Sequence, residues 1–326
     1  MVNGMKIALL ATGGTIACTP GENGLEPTLG AKDLLRGLPL PCQVVPRDVF
    51  LMDSSNMQPE EWSALAKAVD EALRDCDGAV VTHGTDTMAY TAAALSYMLA
   101  GVGKPIILTG SQLPLDHPLS DARQNLLYAF AAATEGVAGV YECFGTRLIS
   151  GVRCVKTHTT SLDAFASVNA PQAGWFDAEG VHIDHPQRWE PLPGEAYALR
   201  PGLDPRVLLL KLAPGTSPDV LDFAARADYR GLVLEAFGLG GLHYIRRNLV
   251  KSLNQLSDQG VYVLVVSQCL YEKADLSVYE VGRGLTRAHV VSGRDMTTEA
   301  AVCKPRPTSN TLRSAFSYRH WLTTST

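Results

Sequence analysis

Short apolar runs alternate with helical segments through the first half of the chain. Apolar runs at residues 6–11, 42–52 and 105–109 each end at a polar or glycine-rich turn, and so does the run that follows Asp77-Gly78. The intervening segments have helical character, at residues 59–74, 89–99 and 122–134. Alternation of buried strands with helices predicts a mainly parallel sheet that is covered by helices.

Two further segments in this half have weaker patterns. Residues 139–155 alternate as strands do, with a turn near Ser150-Gly151, and a helix is predicted to begin at Leu162. Residues 18–27 are polar and rich in glycine and proline, which predicts a loop. Because this loop follows a glycine-rich turn, we expect it to act as a mobile lid.

The second half repeats the strand and helix alternation on a smaller scale. The predicted strands are residues 207–212, 231–237 and 261–267, and the predicted helices are residues 218–227 and 244–259. Between the halves, prolines and turns are dense and periodicity disappears, which predicts a linker. The chain is therefore predicted to form two α/β domains, a larger N-terminal doubly wound (flavodoxin-like) sheet and a smaller C-terminal parallel sheet. The predicted bounds are 1–185, a linker at 186–205, and 206–326.

Composition excludes several classes of function. The chain has 326 residues, 46% of them hydrophobic, and a formal net charge of -5 without any run of Lys and Arg, which disfavours nucleic-acid binding. No apolar stretch approaches the ~20 residues of a membrane helix, and the N-terminal run is too short for a signal sequence. Seven scattered cysteines without a CxxC pair indicate reduced thiols and a cytoplasmic location.

Cofactor and metal motifs are missing as well. No GxGxxG follows the first strand of either domain, and there is no Walker lysine. His182 and His185 form an isolated HxxH without Glu or Cys at ligand spacing. The prediction is therefore a small-molecule substrate with neither cofactor nor metal.

Two predicted strands end in similar turns that carry threonine. Residues 6–11 lead into Thr12-Gly13-Gly14-Thr15, and the run after Asp77-Gly78 leads into Gly84-Thr85-Asp86. Ligands of parallel sheets bind beyond the carboxyl ends of the strands, so these turns are predicted to share one site. The structural alternative is that Thr85 or Asp86 caps the helix that follows.

Three other strand ends carry polar candidates. Ser54 and Ser55 precede the helix at 59–74, where they are predicted to cap it; a helix start also suits a carboxylate, and both roles can coexist. Ser111 follows the strand at 105–109 and is either a substrate contact or a turn residue. Lys156 ends an apolar strand, where a lysine is often a solvated end.

Two motifs give the chain a specific resemblance. TGGTIA at Thr12 to Ala17 and GAVVTHGTDTM at Gly78 to Met88 resemble the two signature motifs of the bacterial-type asparaginase and glutaminase family, in the same order and at a similar separation. The similarity runs through most of the chain and is closest to the cytoplasmic, type I branch. The resemblance implies hydrolysis of L-asparagine to L-aspartate and ammonia, with L-glutamine as a weaker substrate.

The resemblance also implies roles for the candidate residues. Thr15 would attack the carboxamide to give an acyl-enzyme, and Thr85 would position or activate the water of the second step with Lys156 and Asp86. Burial favours the neutral amine of a lysine, whereas a neighbouring carboxylate favours the ammonium, and the sequence does not decide between them. Ser54 and Ser55 would hold the substrate α-carboxylate, Asp86 would also bind its α-ammonium group, and Ser111 would be a further contact.

The chain departs from the family pattern at two positions. No tyrosine occurs between Met1 and Tyr90, and Leu25 lies where the family lid usually carries a tyrosine that assists the nucleophile. The usual glycine-asparagine pair is Gly240-Gly241. In the family, sites lie at subunit contacts, which implies a homodimer or homotetramer here. The candidates for the acidic residue that a neighbouring subunit would lend are Glu235, Asp275 and Glu280. Type I relatives can also carry an allosteric asparagine pocket near the position of Cys269, although a lone cysteine after an apolar strand is more often buried and inert.

Two alternative functions remain open. One is the amidase subunit of a tRNA-dependent amidotransferase, although TGGTIA begins only eleven residues into the chain, where that subunit would carry an extra domain. The other is an asparagine-sensing protein, which Leu25 and Gly241 favour. Retention of Thr15 together with Thr85, Asp86 and Lys156 disfavours the sensor, because binding alone needs no such relay.

Overall fold

An eight-stranded sheet forms the centre of the N-terminal unit in the computed structural model, which describes residues 4–22, 24–186, 197–285 and 289–304. The strands of this unit are β1 (Lys6–Gly13), β2 (Cys18–Gly21), β3 (Gly24–Pro27), β4 (Gln43–Met52), β5 (Gly78–Thr82), β6 (Pro105–Thr109), β7 (Gly139–Phe144), β8 (Arg147–Ser150), β9 (Cys154–Lys156), β10 (Phe165–Ser167), β11 (Gly174–Asp177) and β12 (Gly180–Ile183). Its helices are α1 (Ala31–Leu34), α2 (Pro59–Leu73), α3 (Met88–Met98) and α4 (Ala122–Thr134), with 3-10 turns at Thr15–Ala17 and Ser54–Asn56.

The large sheet has a doubly wound topology. Its order is β12-β11-β8-β7-β6-β5-β1-β4, and the five strands from β7 to β4 are parallel. Numbered along the chain, those five strands have the order 2-1-3-4-5 of flavodoxin-like folds, whose crevice lies where the direction of winding reverses. The predicted fold class is confirmed.

Burial explains why the central strands are apolar throughout. All five residues of β5 and of β6 are buried, because helices cover both faces of a parallel sheet. α3 is buried at ten of its eleven positions, which accounts for its alanine-rich sequence. α2 instead has one buried stripe and begins with Pro59, Glu60 and Glu61, residue types that suit the first turn of a helix.

The C-terminal unit contains a four-stranded parallel sheet. Its strands, in spatial order, are β13 (Val207–Lys211), β14 (Gly231–Ala236), β15 (Tyr262–Ser267) and β16 (Val290–Ser292). Its helices are α5 (Asp219–Arg226), α6 (Leu249–Asp258), α7 (Glu280–Arg283) and α8 (Thr298–Val302). Leu232, Leu234 and Leu253 are buried in its core, so the smaller parallel domain that the sequence predicts is present.

The two compact units divide between Leu203 and Asp204. The predicted linker at 186–205 lies largely outside the described residues, since 187–196 are among the positions that the structure leaves out. The exact domain bounds therefore stay a prediction. No helix within the described ranges is long and apolar enough to cross a membrane.

Three local predictions are wrong. In place of the predicted loop at 18–27, residues 18–21 and 24–27 form the antiparallel strands β2 and β3, which pair from Cys18 with Pro27 to Gly21 with Gly24. No helix begins at Leu162; the chain continues into β10, which pairs with β9. The helix expected from residue 244 begins only at Leu249, because the Asn248 side chain accepts from the Lys251 amide and caps the helix there.

Candidate active site

Close backbone contacts bring the ends of four strands together. A β-carbon added at Gly14 would lie 2.3 Å from the backbone nitrogen of Gly84, and one added at Gly84 would lie 2.5 Å from Ser54 Oγ. One added at Gly110 would lie 2.3 Å from the carbonyl oxygen of His83. Side chains at these glycines would separate the turns, so glycine is required for the loops after β1, β4, β5 and β6 to meet.

Thr15 begins the 3-10 turn that follows β1 and is half-buried. The preceding residue Gly14 has a φ of 79°, and its amide donates to Met52 O at 2.9 Å. The Thr12 hydroxyl donates to Thr82 O at 2.7 Å. These bonds tie the threonine turn to β4 on one side and to β5 on the other.

Lys156 lies at the end of β9 and connects the two polar residues of the second turn. Its Nζ atom is 2.9 Å from Thr85 Oγ1 and 2.6 Å from Asp86 Oδ1. The Thr85 side chain is buried, whereas 66% of the Asp86 side chain is exposed. The structure thus brings together the three residues that the resemblance groups, and it leaves one face of the carboxylate open.

Neither Thr85 nor Asp86 caps α3, so the structural alternative is wrong for this turn. Thr87 occupies the N-cap position, and its hydroxyl donates to Ser54 O at 2.8 Å instead of to the helix. This bond joins the turn after β5 to the turn after β4.

The serine pair lies in a turn of its own. Ser54 is buried, Ser55 is exposed, and the Asp53 side chain accepts from the Ser55 amide at 2.8 Å. Gln58 is the N-cap of α2, so the prediction that the serines cap this helix is wrong. The buried hydroxyl of Ser54 faces Gly84, next to the threonine turns.

The turn after β6 is fixed by side chains at the start of α4. Ser111 is buried, and its hydroxyl donates to Leu113 O, inside its own turn. The Asp121 carboxylate accepts from the amides of Gln112 and Leu113 at 3.0 to 3.1 Å. Asp121 occupies the N-cap position of α4, but its side chain makes no cap hydrogen bond there and instead holds the turn after β6.

A series of buried, hydrogen-bonded side chains lies next to the turn after β5. Trp62 Nε1 donates to Thr91 Oγ1 at 2.9 Å, Thr91 Oγ1 is 2.9 Å from His83 Nε2, and His83 Nδ1 is 2.8 Å from Gly84 O. Burial lowers the pKa of His83 from 6.5 to about 4, so the ring is neutral at pH 7. A carbonyl oxygen can only accept, so Nδ1 carries the proton and Nε2 accepts from Thr91. This series of hydrogen bonds fixes the direction of the Gly84 carbonyl.

Sequence reasoning missed His83 and Gln112. His83 lies at the end of a buried apolar run, and a polar ring in that position needs buried hydrogen-bond partners. The position of His83 in the sequence could therefore have indicated a buried polar contact. Gln112 follows Ser111 directly, and its side-chain partners come from segments 27 and 47 to 49 residues away. No local pattern indicates such partners.

The acidic candidates of the C-terminal unit differ in how they are held. Thr298 Oγ1 donates to Glu235, whose carboxylate is also 3.8 Å from Lys211 Nζ. Hydrogen bonds from Ser277 and Lys273 lower the pKa of Asp275 to about 2. Glu280 begins α7 and is exposed. Glu235 is thus already committed inside its own unit, whereas Glu280 lies on the surface.

The cysteines, and the two histidines near the C-terminal end of the N-terminal unit, are of residue types that bind metals. Cys269 is exposed, so the prediction of a buried cysteine is wrong. None of the seven cysteines, all within the described ranges, forms a disulfide. His182 pairs with Asp177 at 2.9 Å, and His185 pairs with Asp184 at 3.2 Å. Among the residues that the structure describes, no group of three or more His, Cys, Asp or Glu side chains is arranged to hold a metal ion.

Comparison with known proteins identifies the family. Residues 6–189 match the model described as "Asparaginase, N-terminal", and residues 206–305 match "Glutaminase/Asparaginase C-terminal domain". The L-asparaginase of Thermococcus kodakarensis is 40% identical over 92% of this chain and 91% of its own, and L-asparaginase 1 of Escherichia coli K12 is 37% identical over 92% and 90%. A glutamyl-tRNA(Gln) amidotransferase subunit of Methanopyrus kandleri is 37% identical over 92% of this chain and 69% of its own.

A solved structure agrees with these matches. The thermostable L-asparaginase from Thermococcus kodakarensis superposes with a TM-score of 0.85 at 39% identity, over 92% of this chain and 91% of that one. The two family models together span the strands and turns described above. The chain belongs to the asparaginase family.

Proposed function

We propose that the protein hydrolyses L-asparagine to L-aspartate and ammonia, with weak activity on L-glutamine. The observation that carries this proposal is the Lys156 amine, which bonds both Thr85 and Asp86 beside the contact between Gly14 and Gly84. That contact places the turn of Thr15 against the turn of Thr85. The two threonine turns and the lysine would supply a nucleophile and a group that activates water, which two-step hydrolysis of an amide can use.

The two threonines take one step each in the proposed mechanism. Thr15 Oγ1 attacks the side-chain carboxamide, its proton passes to the departing nitrogen, and ammonia leaves an acyl-enzyme. A water molecule then attacks the ester carbonyl, its proton returns to Thr15, and L-aspartate is released. Thr85, with Lys156 and Asp86, positions or activates that water.

The zwitterionic end of the substrate gives the proposal its specificity. The exposed face of Asp86 complements the α-ammonium group, and the side chains of Ser54 and Ser55 provide hydroxyl donors for the α-carboxylate. Ser111 is a further proposed contact from the turn after β6. Holding both charges would place the carboxamide against Thr15. Asparagine and glutamine differ by one methylene, a difference worth only ~1 to 3 kcal/mol in a pocket.

Ammonia release from L-asparagine and L-glutamine by the wild type and by the Thr15→Ala and Thr85→Val variants tests the proposal. Saturable release from L-asparagine that both variants lose, with L-aspartate still raising the Tm of the Thr15→Ala variant, is the expected result. Full activity in the Thr15→Ala variant would refute the assignment of Thr15 as the nucleophile. No ammonia from the wild type would refute the hydrolase and favour the asparagine-sensing alternative.

An amidotransferase component is the second candidate, because the Methanopyrus kandleri protein and the Escherichia coli L-asparaginase 1 are both 37% identical to this chain. The chain covers 69% of that relative and 91% of the Thermococcus L-asparaginase, which favours the asparaginase. Ammonia release from free L-asparagine by the isolated chain discriminates between them, since an amidotransferase component would need its partner and charged tRNA.

Assembly and regulation belong to the same proposal. We infer a cytoplasmic homodimer or homotetramer in which Asp275 or Glu280 of one copy approaches the crevice of another. An allosteric asparagine pocket near Cys269 would make the rate depend sigmoidally on concentration. Light scattering of the purified protein measures the oligomer, and the concentration dependence of ammonia release tests the regulation.

A further inference from the structure

The side-chain amide of Gln112 joins three parts of the candidate site. Its Oε1 atom accepts from the Thr85 hydroxyl at 3.2 Å, and its Nε2 atom donates to the carbonyl oxygens of Thr159 and Ser161, each at 3.0 Å. Those carbonyls belong to the segment that directly follows Lys156. Gln112 therefore connects the threonine to the part of the chain that carries the lysine.

These partners allow the amide only one orientation. A backbone carbonyl oxygen accepts and never donates, so the two carbonyls require the NH2 end of the Gln112 amide. Turning the amide by 180° would place its oxygen against two other oxygens and would lose both hydrogen bonds. The oxygen end of the amide is therefore fixed toward Thr85.

The fixed amide determines where the Thr85 hydroxyl hydrogen lies. Lys156 Nζ donates to Thr85 Oγ1 at 2.9 Å. The threonine oxygen thus accepts from Lys156, while its hydrogen is donated to Gln112. One lone pair of the oxygen is used by Lys156, and the other remains for a group in the crevice.

The backbone of Gln112 is held as firmly as its side chain. Its amide donates to the Asp121 carboxylate, and Asn125 Nδ2 donates to Asp121 at 3.1 Å and to Gly110 O at 2.9 Å. Asn125 is 1% exposed, and its Oδ1 atom accepts from the Gly145 amide. Displacement of Gln112 would therefore disrupt a buried network at the start of α4.

We propose that Gln112 is a positioning residue of this active site: its amide holds the Thr85 hydroxyl hydrogen away from Lys156 and leaves a lone pair of Thr85 directed to the reacting water. The inference rests on the proposed hydrolysis and extends it to a residue that acts through its hydrogen bond to Thr85. It concerns the second step, in which that water attacks the acyl-enzyme.

Substitution of Gln112 by Leu and by Glu separates positioning from packing. Gln112→Leu keeps the apolar stem but removes all three side-chain hydrogen bonds, so kcat for L-asparagine should fall about 10- to 100-fold with KM changed less than about threefold. In Gln112→Glu the charged carboxylate cannot donate to the two carbonyls, whereas the protonated carboxyl donates to one and accepts from Thr85. The ratio of its kcat to that of the wild type should therefore rise as the pH is lowered from 8 to 5, while the ratio for Gln112→Leu stays flat.

Gln124 provides the matched control, because it is exposed on α4. Gln124→Leu and Gln124→Glu should match the wild type at every pH. Wild-type kcat in Gln112→Leu would overturn the proposal, and so would a pH-independent ratio in Gln112→Glu. If Gln112→Leu fails to fold, the pH dependence of Gln112→Glu decides alone. An inactive wild type would refute the proposed hydrolysis instead.

Discussion

Acidification is expected to destabilise the protein through His83. The ring is fully buried, and burial lowers its pKa from 6.5 to about 4, although the hydrogen bond to Gly84 O acts in the opposite direction. In the unfolded chain the same ring takes up a proton as the pH falls below about 6.5. Between these two values the unfolded state binds more protons, so the free energy of unfolding falls as the pH falls.

The size of the effect follows from those two pKa values. Linkage gives a loss of about 2 kcal/mol by pH 5 and about 3 kcal/mol by pH 4, relative to neutral pH. Both are large fractions of the ~5 to 15 kcal/mol that stabilises a typical domain. Below pH 4 the folded ring is protonated too, and the contribution of His83 levels off.

Urea unfolding followed by far-UV circular dichroism at pH 7, 6, 5 and 4, at fixed protein concentration, measures this loss. His83→Gln removes the titrating ring, so that variant should be less stable at pH 7 but should lose about 2 kcal/mol less than the wild type by pH 5. His117→Gln is the control, because His117 is exposed, and it should follow the wild type. Equal pH slopes for His83→Gln and the wild type would refute both the burial argument and the neutral ring.

Two further substitutions test packing in the N-terminal unit, one at the candidate site and one at the opposite edge of the sheet. Gly14→Ala should lower kcat at least about 100-fold and lower the Tm, because the added β-carbon would lie 2.3 Å from Gly84 N at a φ of 79°. Gly103→Ala is the control and should change neither kcat nor Tm, because a β-carbon there would lie in open space. Wild-type activity in Gly14→Ala would contradict the close contact. Lys104→Met should reduce the free energy of unfolding by about 2 kcal/mol without changing kcat, because Nζ donates to two backbone carbonyls at and beyond the end of α2, at 2.6 and 2.8 Å. Lys67→Met on the exposed face of α2 is the matched control, and equal losses in both variants would show that these bonds contribute nothing.

The large elements were predictable because burial on both faces leaves an unambiguous pattern. β5 and β6 are continuous apolar runs bounded by turns, and the sequence indicates them within a few residues. The hairpin of β2 and β3 was not predictable from the same signals. Its residues are half-buried or exposed and include Gly21, Gly24 and Pro27, so neither alternation nor hydrophobicity separates it from a loop.

The failed helix at Leu162 has a related cause. Ser161 and Asp163 resemble the start of a helix, but the Asp163 amide donates to the Ser161 hydroxyl and the Arg147 guanidinium pairs with the Asp163 carboxylate. Polar residues that cap helices also form turns, and the tertiary partner Arg147 decides between the two here. The same ambiguity affected Ser54 and Ser55, whose turn ends before Gln58 caps α2.

The candidate site shows how far each kind of inference extends. The turns of Thr15 and Thr85 could be placed together from the sequence alone, because parallel strands present their carboxyl ends at one edge of a sheet. Lys156 could not, since β9 pairs only with β10, outside the large sheet, and 71 residues separate the lysine from Thr85. Only the family resemblance grouped them, and their catalytic roles stay predictions.

The role of Gln112 could not be predicted from the sequence pattern or from the family resemblance. Its backbone position follows from β6, but its function depends on which end of the amide faces Thr85, and that is decided by two backbone carbonyls in the segment after Lys156. Backbone carbonyls are present at every residue, so the sequence carries no mark of those two. A side chain whose orientation is fixed by main-chain atoms therefore becomes visible only when the folded geometry is known, and the pH profile of Gln112→Glu is the measurement that such geometry makes specific.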